Sequence, residues 1–231
     1  NLGALAVAEN YLGGICLRQG DLPQAVVHTR QALSYWEQVG YSWGVANTLN
    51  NLGILEVTGG NIGAALVNFE ASLRIRRDMG DVEGLAIAYN NLGQLLRDQG
   101  ELEPAETHFR DSLLLTRSLR MNFHSATSFI GLAQVLIYLG RLDEAGEQLE
   151  FGRVLAQGLN APDLLAERNF AEAELKIALR DFSQAEAIAR QAETLTNASG
   201  NVVMQSAALR LIAQCRMELG DLEEARQILD R

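Results

Sequence analysis

Cysteine, proline and lysine are nearly missing from this sequence of 231 residues, which has two Cys, three Pro and a single lysine, Lys176. Cys16 and Cys215 allow one disulfide at most, so no disulfide framework holds the chain, and the expected setting is a reducing one, the cytoplasm. Aromatic residues make up 6%, and no run of 18 apolar residues occurs, so no membrane partner is expected. Basic residues are scarce as well: 19 against 29 acidic ones, for a net charge of −10. The charge is spread evenly, with 9 basic and 13 acidic side chains in residues 1–120 and 10 and 16 in residues 121–231. Binding to phosphates needs concentrated Lys and Arg, so nucleic acid is not an expected partner. An apolar fraction of 48% suits a large core and excludes general disorder.

What the sequence does have is a repeat. A shift of 40 residues superposes it on itself without a gap. Ala25, Ala65, Ala105, Ala145, Ala185 and Ala225 share one phase, and Ala6, Ala46, Ala86, Ala126, Ala166 and Ser206 share another. Gly20, Gly60, Gly100, Gly140 and Gly220 make a third, broken by Arg180. Leu22, Ile62, Leu102, Leu142, Phe182 and Leu222 make a fourth. The units run 1–40, 41–80, 81–120, 121–160, 161–200 and 201–231, the last truncated. The chain opens with Asn1, and its last unit stops at Arg231, so a piece of a longer protein with further domains is expected.

Each unit reads as two helices. Val45, Leu49, Leu52 and Leu55 recur at helical spacing, as do Leu66, Phe69 and Leu73. Pro23 and Pro104 fall in the first turn of second helices, where a missing N–H is harmless. Gly20, Gly60 and their equivalents suit the left-handed residue that ends a helix, and Asp21, Asn61, Asp181 and Asp221 are placed to cap the next one. A second turn is expected at Gly40, Gly80, Arg120, Asn160 and Gly200. The alanines suit close helix crossings: the Ala25 series inside a unit, the Ala6 series against the preceding unit. The result is an all-α right-handed solenoid of six helix-turn-helix repeats, one domain over 1–231, in which stacked neighbours supply the core. The fifth unit departs from the pattern at Glu172, where others carry Leu or Ile, and at Arg180, so a shifted or looser first helix is expected there.

Leu52, Gly53, Ala65, Phe69 and Ser72, and again Leu92, Gly93, Ala105, Phe109 and Ser112, resemble the tetratricopeptide repeat (TPR) pattern, with a period longer than its usual 34. Forty-residue units with Asn-Leu-Gly in the first helix resemble the LGN/Pins adaptors and the sensor region of MalT-like bacterial regulators. The stretch Thr48-Leu49-Asn50-Asn51-Leu52 is similar to kinesin light chain repeats.

No catalytic constellation emerges, and neither enzyme activity nor a cofactor is expected. The sole lysine lies mid-helix rather than in a phosphate-binding loop. Cys16 and Cys215 sit at core-facing phases of the first and last units, so a shared metal site is excluded. His28 and His108 share a phase two units apart with Asn68 between them, and with His124 they read as helix-surface side chains. Glu101/Glu103 and Glu223/Glu224 complement helix dipoles. Arg74, Arg76 and Arg77, followed by Asp78, Asp81 and Glu83, read as a solvated, ion-paired face.

The sharpest series is Asn10, Asn50 and Asn90, at one mid-helix phase of the first three units. By the resemblance this phase faces the concave groove, where an amide can donate to and accept from a partner's backbone. The alternatives are that these amides bridge neighbouring helices or are plain repeat consensus. The phase continues as Ile130, Phe170 and Arg210. Nearby phases give Gln94, Arg97 and Asp98, then Gln134, Ile137 and Tyr138, a polar stretch followed by a more apolar one. Tyr35, Trp36, Tyr41 and Trp43 concentrate at the junction of units one and two, as an aromatic pocket or as turn packing. The expected function is a scaffold that binds a protein or peptide segment in its groove. The rivals are a ligand-sensing domain of a MalT-like signalling ATPase and a self-association module forming a homo-oligomer.

Overall fold

A computed structural model describes residues 1–199 and 202–230, so the turn expected at Gly200 and the end at Arg231 lie outside the described residues. Twelve α-helices follow one another among the described residues: α1 Leu2–Arg18, α2 Leu22–Val39, α3 Ser42–Thr58, α4 Ile62–Met79, α5 Val82–Asp98, α6 Leu102–Ser118, α7 Asn122–Tyr138, α8 Leu142–Leu159, α9 Pro162–Ala178, α10 Phe182–Ser199, α11 Val202–Glu218 and α12 Leu222–Leu229. They form two compact units, residues 1–101 and 102–231, each a TPR-like stack of helix pairs.

The turns follow from the repeat. Gly20, Gly60, Gly100, Gly140 and Gly220 all have φ between 75° and 88°. Arg120, Asn160 and Arg180 adopt the same left-handed conformation, with φ of 55°, 51° and 61°. Asp21, Asp181 and Asp221 accept hydrogen bonds from the backbone N–H of Gln24, Gln184 and Glu224 at 3.1–3.2 Å. Asn61 departs from this expectation. Its amide instead donates to Oε2 of Glu56 at 2.9 Å, and α4 has no side-chain cap.

The Ala25 series is buried throughout, at 0–2% exposure. The Ala6 series is buried as far as Ala166, whereas Ser206 is exposed. At Ala46 one contact is made within the unit. Ser72 Oγ of α4 donates to the Ala46 carbonyl of α3 at 2.8 Å. In the N-terminal unit Phe69 anchors a core with Ala65, Leu73, Ala88, Leu92 and Leu95. In the C-terminal unit Ile212 packs with Ala173, Ala189, Ala213, Ala225 and Ile228.

The fifth repeat keeps its first helix, α9, in register rather than shifted. Arg168, at 9% exposure, forms an ion pair with Glu172 one turn later, so a basic residue in place of the usual small one offsets the carboxylate in place of leucine.

Candidate functional site

The N-terminal unit presents one face of its first helices to solvent. On α3, Trp43, Asn51, Ile54 and Thr58 are exposed and Asn47 half-exposed, a spacing that lays them along one stripe. On α1 the matching stripe carries Val7 and Tyr11, and on α5 it carries Asn91, Gln94 and Asp98. Helix α3 holds a single charge, Glu56, and that carboxylate is 5% exposed, under the Arg30 guanidinium and the Asn61 amide, both at 2.9 Å. The exposed stripe of α3 is therefore uncharged, built of amides, aromatics and aliphatic surface.

Hollows follow the seams between these helices. One of about 350 Å³ lies between α1 and α3, lined by Val7, Asn10, Tyr11, Trp36, Trp43, Asn47 and Asn51. A second, of about 180 Å³, continues along the same seam over Gly13, Gly14 and Ile54. A third, of about 130 Å³, lies between α3 and α5, where Asn91, Gln94 and Asp98 face Ile54 and Thr58. Trp36 and Trp43 both border the first hollow, with Tyr41 between them at ring distances of 5.2 and 6.1 Å. Tyr41 and Tyr35 are not part of its lining. The Trp36 Nε1–H is buried without an acceptor among the described residues.

The asparagine series lies partly beneath this surface. Asn10 borders the first hollow, and its amide donates to Thr48 Oγ1 at 3.1 Å. Asn50 and Asn90 are only 7% and 5% exposed. The Asn50 carbonyl oxygen accepts from the Asn91 amide at 2.8 Å, which ties α3 to α5. The more accessible amides belong to the next residue, exposed Asn51 and half-buried Asn91, the latter also holding the tie to Asn50. The doubled Asn50-Asn51 and Asn90-Asn91 pairs held that signal, since one residue turns a helix by about 100°.

Arg76 differs most from its sequence reading. It is 4% exposed rather than solvated, donating to Ser72 Oγ at 3.1 Å, to Asp81 at 3.0 Å and to the Asn47 side chain. Burial pushes its pKa below the ordinary guanidinium value, and Asp81 works against that shift. This buried cation fixes the orientation of Asn47 at the edge of the first hollow. Arg97 pairs with Asp98 at 2.7 Å.

The histidines are half-buried rather than fully exposed. His28 Nδ1 lies 2.6 Å from Glu9, His108 Nδ1 is buried, and His124 meets Phe123 edge to face. Cys215 is fully buried, whereas Cys16 is only partly so. Among the described residues no group of His, Cys, Asp and Glu is placed to hold a metal ion, and no helix is long and apolar enough to cross a membrane.

In the C-terminal unit the expected groove residues have separate fates. Ile130 is 4% exposed and packs toward α8, where a Cβ at Gly152 would stand 3.2 Å from it. Ile137 is buried too, while Tyr138 is exposed. Gln134 donates to Glu174 at 3.1 Å, Phe170 is half-buried and Arg210 exposed.

Helix pairs of this length with a small residue at every crossing define a tetratricopeptide-type repeat protein. The chain belongs to the family described as the MalT-like TPR region, whose pattern matches residues 2–231. No curated protein matches it by sequence. Among solved structures, aspartyl phosphate phosphatase F from Bacillus subtilis is similar with a TM-score of 0.84 and 13% identity, over 99% of this chain and 58% of that one. BtubC (BKLC) from P. vanneervenii gives 0.71 and 16%, over 91% and 89%. The Rap conjugation gene regulator of plasmid pLS20, solved in complex with a Phr peptide, gives 0.74 and 19%, over 99% and 61%. Identities this low define the shared fold.

Proposed function

We propose that this chain is a binding module that takes an extended peptide segment along the first-helix face of its N-terminal unit. The observation that carries the reading is the uncharged α3 stripe, with Asn51 exposed beside a hollow bordered by Trp36 and Trp43 and with half-buried Asn91 and Gln94 lining the hollow on its other seam. Amides pair with a peptide backbone whatever its sequence, and the aromatic hollow gives one side chain an anchor. The pLS20 regulator, of similar fold, binds a peptide, which supports this reading.

Only two tryptophans occur, and both border the hollow, so tryptophan emission reports on it alone. Peptides selected from a displayed random library against the immobilised chain are expected to shift that emission and to bind more weakly to an Asn51→Ala/Asn91→Ala variant. Peptides that bind without either effect would place the site elsewhere.

Family membership favours a second reading, a regulatory domain whose aromatic hollow takes a small ligand. Such a ligand would shift tryptophan emission yet be indifferent to Asn91, which lies on the far seam.

A further inference from the structure

We infer that a hollow formed by α6, α7 and α8 in the C-terminal unit binds a small organic anion, a carboxylate or phosphate head on an apolar body. It measures about 440 Å³, within the range of small-molecule sites. Arg117, Arg120 and Ser125 line one part of it, and Phe129, Phe151 and Val154 another.

Three observations converge on this ligand class. The first concerns charge. Arg76, Arg97, Arg110, Arg141, Arg153, Arg168, Arg190 and Arg216 each have a carboxylate partner. The guanidinium groups of Arg117 and Arg120 have neither an ion pair nor a hydrogen bond among the described residues, as is also true of Arg18, Arg74, Arg180, Arg210 and Arg226, but Arg117 and Arg120 line one hollow together in a chain of net charge −10. Two free planar donor forks at one hollow suit the two or three oxygens of a carboxylate or phosphate.

The second is conformational. Arg120 has φ of 55° at a turn position that Gly40 and Gly80 fill with φ of 71° and 68°. An arginine there is strained relative to glycine, as it is at Arg180, whose φ is 61°. The third is an unpartnered hydroxyl on a largely buried residue. Ser125 is 3% exposed and lines the hollow, and its side chain makes no hydrogen bond among the described residues. The apolar part is equally open: Phe151 and Val154 are 54% and 55% exposed on α8, with Phe129 at 5.3 Å from the Phe151 ring.

The test is calorimetric titration of the 231-residue chain with decanoate and with phenyl phosphate, using decanol and inorganic phosphate as controls. At least one of the two amphiphilic anions is expected to bind at about 1 mM or below, at least about tenfold more tightly than either control. The one that binds identifies the head group. Arg117→Ala and Arg120→Gly are each expected to weaken it by about tenfold or more, and Phe151→Ala to weaken it as well. Arg120→Gly relieves the turn, so its melting temperature should rise, which separates lost binding from lost folding. No binding by either anion, equal binding of decanol, equal binding of inorganic phosphate, or affinity unchanged by both arginine variants would each overturn the proposal.

Discussion

The Trp36 indole fills the space that a side chain at residue 44 would need: a Cβ on Gly44 would stand 2.5 Å from Cδ2 and 2.8 Å from Cγ. One repeat later Arg76 has the same relation to Gly84, where a Cβ would lie 1.6 Å from Nη1. In both places a large residue late in a second helix is received by a glycine in the first turn of the next helix.

Gly44→Ala therefore forces the indole out of its seat, and a rigid bicyclic ring cannot yield as a flexible chain end would. The expected destabilisation is about 1–3 kcal/mol, read from the urea midpoint, with a red shift of the native tryptophan emission as the ring moves toward water. An unchanged midpoint would mean that Trp36 does not pack against α3 in this way.

The tie between α3 and α5 separates two repeat-equivalent asparagines by function. Asn91→Ala leaves the Asn50 carbonyl oxygen, in a residue only 7% exposed, without its 2.8 Å partner, and the expected loss is about 1–3 kcal/mol. Asn51 is exposed and its side chain makes no hydrogen bond among the described residues, so Asn51→Ala should stay within about 0.5 kcal/mol. Chemical denaturation of the two variants side by side decides the matter, and equal midpoints would remove the tie. A peptide in the groove should nonetheless lose affinity in both.

The repeat made the fold readable because the phases that must be small or left-handed are few and severe. Ala105 and Gly100 leave little room for another reading once they recur every 40 residues. The candidate site was readable only to within one residue of helix rotation. Asn50 and Asn51 have the same chemistry, and nothing local distinguishes the amide that ties two helices from the one that faces solvent. Arg76 and Arg168 escaped for another reason. A charge in a mixed run reads as solvated by default, and its burial depends on partners such as Asn47, Ser72 and Glu172 that only the folded packing brings within reach. The hollow beside Arg117 and Arg120 gave one hint in the sequence, an arginine where three sister positions have glycine.

Cys215 offers a check on the core of the C-terminal unit. It is 0% exposed, and burial pushes its thiol from an ordinary 9.0 up to about 11, with the negative charges of Glu186 and Glu218 acting in the same direction. At pH 8 the folded protein thus holds only about one thiol in a thousand as thiolate, and that fraction is also shielded from reagent. Iodoacetamide under native conditions is expected to label Cys16, which is partly exposed, well before Cys215, with the order lost in 8 M urea. The sign of the linked pH effect is fixed by the same shift. The folded thiol holds its proton more tightly than the unfolded one, so its contribution to stability is whole below about pH 9 and is lost as pH rises toward 11. Mass spectrometry of the labelled peptides reads the order directly, and equal native labelling of the two cysteines would show that α11 does not pack with Ile212 and Ala213 facing inward as described.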